Sequence, residues 1–153
     1  MGWAAEEAAK IAEAEDREAK DRAWQLYVNQ TVHAEAKPFF DKVAEQIEAD
    51  VRDFNAARSS NGLRCERDAY SVTVYKEQYP SVRMQIAFNE LRHVVTMTRE
   101  TIEHPLSESA STQNQDLVFT VDGDGGIHLG GTNYQSVARR VLQPVIDTFC
   151  PRR

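Results

Sequence analysis

The residues that could carry chemistry gather at Asp122-Gly123-Asp124-Gly125-Gly126-Ile127, with His128 directly after them. An imidazole beside carboxylates can move protons near neutral pH, provided an acid is oriented within reach of a ring nitrogen. His128 is the alternative catalytic candidate, with Asp122 and Asp124 as its acids. The rest of a catalytic site, a nucleophile and an oxyanion cradle, is not spelled out anywhere in the chain, and no catalytic residue is assigned. The same six residues also fit positions three to eight of an EF-hand calcium loop. The ligands do not follow: position one would be Thr120, and position twelve, where a bidentate acid belongs, would be Gly131. The flanks alternate as strands do, so the segment reads as a hairpin turn.

The other histidines, His33, His93 and His104, are far apart in sequence, and none has a second histidine at metal-ligand spacing. No metal and no cofactor is expected. Five of the seven glycines fall within 123–131, but fit neither a Walker loop nor a dinucleotide fingerprint. Gly130-Gly131-Thr132 could cradle an anion at a helix start, although a tight strand-to-helix turn accounts for it more simply. No Gly-x-Ser-x-Gly elbow is present. Partner binding has better material. Trp24, Tyr27 and Val28 head a long apolar stripe, and Arg139 and Arg140 form a cationic pair for an acidic partner.

These residues need elements to hold them. Residues 4–23 are almost wholly Ala, Glu, Lys, Asp and Arg, with Glu6–Lys10, Glu13–Arg17, Asp16–Lys20 and Glu18–Arg22 four apart and the acid first. Such a stretch makes a helix with almost nothing to bury. From Trp24 the stripe Val28, Val32, Ala36, Phe40, Val43, Ile47, Val51, Phe54 runs at threes and fours, widened by Tyr27 and Phe39. Pro38 interrupts it, by a kink in one helix or by a break into two near Asn29–Lys37. The stripe keeps phase across the proline, which favours the kink. Ser59-Ser60-Asn61-Gly62 ends the helix, with Gly62 suited to a left-handed cap.

About five strands follow. Val72 and Val74 alternate with Thr73 and Tyr75, and Gln78-Tyr79-Pro80 turns the chain into Ser81–Asn89, where Val82, Met84, Ile86 and Phe88 share a face. His93–Ile102 is next. Residues 103–116 are polar and aperiodic and read as a mobile loop. Leu117, Phe119 and Val121 begin one strand, and Ile127 and Leu129 mark the last. Thr132 is a candidate N-cap for a closing helix whose face is Tyr134, Val137, Val141, Val145 and Phe149, with Pro144 bending it or confining its last turn. The expected fold is α+β: a long N-terminal helix kinked at Pro38, an antiparallel meander of about five strands, and a C-terminal helix packed on one face of the sheet. Residues 1–23 are a solvated charged helical extension and 24–153 a single domain.

Composition narrows the function. The net charge is −6, and residues 1–59 carry 13 acids against 8 bases, so the acidity lies in the helical part. That argues against nucleic acid, whose backbone needs clustered cations. The start is no signal peptide, and no apolar run is long enough to span a bilayer. Cys65 and Cys150 are the only cysteines, expected to be reduced thiols of a cytoplasmic protein, with a bridge between them as the alternative. The expected function is a non-enzymatic interaction or assembly module, adaptor-, chaperone- or immunity-like, that binds itself as a homodimer through residues about 20–40 or binds another protein. The alternative is a small enzyme, or a ligand- or lipid-binding domain with a pocket between the sheet and the C-terminal helix.

Overall fold

Alanine and straight-chain charged residues at the start, followed by a stripe in phase, give one uninterrupted helix, α1 (Trp3–Arg58), in the computed structural model. The structure describes residues 2–59, 62–78, 80–102 and 111–149. α1 passes through Pro38 without a break. Position 38 has no N–H to donate, so the carbonyl of Ala34 goes without the usual helical bond. Ser59, not Gly62, takes the left-handed position at the helix end, with φ 51° and ψ 45°.

Six strands form one antiparallel meander in chain order: β1 (Leu63–Arg67), β2 (Ser71–Lys76), β3 (Ser81–Asn89), β4 (Val94–Ile102), β5 (Ser111–Val121) and β6 (Ile127–Leu129). The additional strand is β1, a charged edge (Leu-Arg-Cys-Glu-Arg) pinned to α1 by Asn55, whose side chain donates to the Leu63 carbonyl and accepts from its N–H. Ser111–Asp116 is not loop: it pairs with Thr96–Thr101 of β4. Residues 103–110 and Tyr79 lie outside the described residues, as does Cys150. Cys65 is a free, half-buried thiol, pushed up to about 11 by burial and by the nearby Glu48 carboxylate.

The last helix, α2 (Tyr134–Ile146), is capped by Asn133 rather than Thr132; the Asn133 side chain accepts from the Ser136 N–H at 2.8 Å. The Thr132 hydroxyl donates to the Leu129 carbonyl instead. α2 continues two residues past Pro144 into a 3-10 turn (Asp147–Phe149). Both helices pack on one face of the sheet and on each other. Phe40, Val43 and Ile47 of α1 and Val137, Val141 and Val145 of α2 are fully buried over Val72, Val74, Ile86 and Val95. Phe88 stacks on Phe40 and meets Phe119 edge-on. The core residues expected from the sequence, Met84, Ile86, Phe88, Phe119, Val141 and Val145, are all buried.

The geometry explains why half of α1 has nowhere to lie. Six strands at about 4.8 Å spacing make a sheet about 24 Å wide. The buried run from Ala36 to Val51 covers about 23 Å at 1.5 Å per residue. Val32 still packs against the core and Tyr27 reaches Gly125, and the residues before these project past the sheet.

Candidate functional site

The projecting arm is the most distinctive surface of the molecule. Every residue from Gly2 to Tyr27 is exposed, and Val28 is the first to be partly covered. Along the arm Lys20 pairs with Asp16 at 3.1 Å, Lys10 reaches Glu7 rather than Glu6, and the Arg22 side chain donates to the Glu18 carbonyl. Such pairs support a helix by a few tenths of a kcal/mol each and leave its apolar residues in water. Trp24 and Tyr27 are 45% exposed and Leu26 58%. Trp24 and Tyr27 lie with ring centroids 5.5 Å apart.

Tyr27 is where the arm meets the domain. Its hydroxyl lies 2.7 Å from where a Cβ on Gly125 would stand, so a side chain there would push the tyrosine aside. Gly125 also has φ 82°, a value that side chains resist. Between the arm and this turn runs a groove of about 440 Å³, lined by Tyr27, Gln30, Thr31, Ala34, Gly125 and Ile127 among others. Ala34, whose carbonyl Pro38 leaves without its helical donor, is on its wall. The window of residues 20–40 is shortened at its far end, because Ala36, Phe39 and Phe40 belong to the chain's own core.

The hairpin beyond Gly125 brings together two residues singled out for chemistry. His128 Nε2 lies 2.9 Å from Asp122 Oδ2, and His128 stands opposite Thr120 in the β5–β6 pairing. Asp122 Oδ1 accepts from the N–H groups of Asp124 and Gly126, both at 2.9 Å. The His128 hydrogen bond first, and then these amides, hold the Asp122 carboxyl below the usual carboxylate range. Both side chains are well exposed, and the carboxylate binds its own turn. Among the described residues no hydroxyl or thiol is hydrogen-bonded to His128, so the pair reads as a clasp on the hairpin.

Arg139 and Arg140 stand in different surroundings. Arg139 faces solvent, whereas Arg140 is half-buried and donates to Gln115 Oε1 at 3.3 Å. The groove it lines shares no residue with the one at Tyr27. The fold also makes a contact with no sequence signal: His33 of α1 meets His93 edge-on at 5.4 Å, sixty residues apart, at the β3–β4 turn where His93 has φ 52°. Among the described residues no three of His, Cys, Asp and Glu converge as metal ligands would, and no helix is long and apolar enough to cross a membrane. No protein-family model matches the chain, and no curated protein or solved structure shows significant similarity to it.

Proposed function

We propose that this chain is a non-enzymatic assembly module that pairs with a second copy of itself through the N-terminal arm, over residues about 20–35. One observation carries the reading. A continuous helix leaves Trp24 and Leu26 largely exposed at the root of an arm that, among the described residues, first meets its own domain at Tyr27. Most helical stability in proteins comes from packing an apolar face, which the arm, held by local propensity and surface charge pairs, lacks and a partner helix supplies. Aromatic residues are also the side chains on which association energy concentrates. A second copy presents the same surface, and an isologous contact needs only that the patch fit itself.

Tryptophan emission tests this. Trp3 and Trp24 are the only tryptophans, so Trp3→Phe leaves Trp24 as sole reporter. Its emission should shift to the blue as the chain is concentrated from sub-micromolar to tens of micromolar. An emission that stays that of a solvated indole throughout would exclude self-association at Trp24.

A further inference from the structure

The helix-bearing face of the sheet changes character on the far strands. On β5 the inward series runs Gln113, Gln115, Leu117, Phe119, polar for two positions before it turns apolar and buried. On β4 it runs Val95, Met97, Arg99, with Arg99 opposite both Met84 of β3 and Gln113 of β5. Here α2 forms a wall, and between it and the sheet lies a groove of about 630 Å³. That is within the range of about 300–1,000 Å³ in which small-molecule sites fall.

The lining divides by chemistry. Met84, Met97 and Pro144 are apolar, and methionine adapts its shape to what lies on it. Arg99, Arg140, Gln113, Asn114 and Gln115 are polar, and among the described residues no acid lines the groove. Among the described residues neither arginine has a carboxylate within ion-pair distance. Two guanidinium groups with no carboxylate partner among the described residues, sharing one groove of a chain of net charge −6, favour anions locally.

Arg140 is also held in place. Its Nη2 donates to Gln115, and its Nη1 lies 3.2 Å from where a Cβ on Gly130 would stand, so Gly130 makes room for it. Gln115 is two residues along β5 from Gln113, the partner of Arg99. The strand positions the two arginines stand against, Gln113 and Gln115, are thus about 7 Å apart along β5. A guanidinium fork fixed beforehand binds a carboxylate with less loss of freedom.

We propose that this groove binds a small organic acid, its carboxylate between Arg99 and Arg140 and its apolar stem on Met84, Met97 and Pro144. The site is independent of the arm, and its failure would leave the assembly reading untouched.

Calorimetric titration of the full chain with sodium octanoate, and with octan-1-ol as the neutral counterpart, decides it. Octanoate should saturate at one per chain and bind at least about tenfold tighter than the alcohol, since a charge-assisted hydrogen bond is worth about that or more. Arg140→Gln and Arg99→Gln should each weaken octanoate by about ten- to a hundredfold and leave the alcohol within about twofold. Arg99 is exposed, so its variant keeps the fold and stands as the control on Arg140. Equal affinity for acid and alcohol, no octanoate binding in the millimolar range, or full affinity in Arg99→Gln would each overturn the assignment.

Discussion

Cutting the chain to begin at Thr31 removes residues 3–30, half of α1. On the structure, this should cost the folded domain very little. The side chains from Gly2 to Tyr27 are exposed, so the cut returns little apolar area to water at about 25 cal/mol per Å². What goes is the contact of Tyr27 on Gly125 and the partial cover of Val28. Half-burial of two such side chains sets an upper limit of about 3 kcal/mol. Urea unfolding followed by circular dichroism at sub-micromolar concentration measures it. Tryptophan fluorescence would mislead, because both tryptophans lie in the arm and report nothing of the core. Ellipticity should fall by half of α1 while the midpoint hardly moves. Raising the full-length chain tenfold in concentration, once it is dimeric, should add about 1.4 kcal/mol per dimer, and the shortened chain should gain nothing. A loss above about 3 kcal/mol in dilute solution would refute the reasoning, since burial on that scale needs an arm folded onto its own domain.

Further outcomes follow from the same geometry. Ile86→Ala removes a side chain with no exposed surface from the central strand β3 and should cost about 2–5 kcal/mol by urea unfolding. A cost below about 0.5 kcal/mol would show that the strand does not face the core. Asp122 titrates below its ordinary range, so its clasp stabilises the hairpin above the unfolded value, about pH 4, and is lost as pH falls through the lower folded value. Protection of the Gly126 amide, taken relative to its intrinsic exchange rate at each pH, should therefore fall in acid, and Asp122→Asn should abolish that dependence. In a Cys150→Ser chain, Cys65 should stay protonated until about pH 11 and alkylate far more slowly at neutral pH than a free thiol. A rate equal to that of free cysteine would contradict its burial.

The fold was legible where one face is buried. Val82, Met84, Ile86 and Phe88 alternate because β3 is central and one side of it is core. The phase of Ala36, Phe40, Val43 and Ile47 survives Pro38 because the helix is supported by packing on both sides of it. What escaped notice lies at edges. β1 is short and charged and gains its place from Asn55 and from pairing with β2, neither of which has a local signature. Ser111–Asp116 is polar on both faces because the helices do not cover that end of β5, so it resembles loop. A pocket between the sheet and the C-terminal helix is the alternative the sequence offers, but with that strand read as loop its lining stays hidden. Arg140 was visible as half of a charged pair, but its neighbours Arg99, Gln113 and Gln115 join it only through strand register. His128 and Asp122 were visible together because six residues of hairpin must bring them close.

The central claim is self-association through the arm, and the mass in solution tests it most directly. Light scattering on the full chain at tens of micromolar should give twice the 17.3 kDa of one chain. Trp24→Ala and the chain beginning at Thr31 should both return the mass to that of a monomer. A full-length chain that stays monomeric at that concentration, its mass unchanged by Trp24→Ala, would contradict the account.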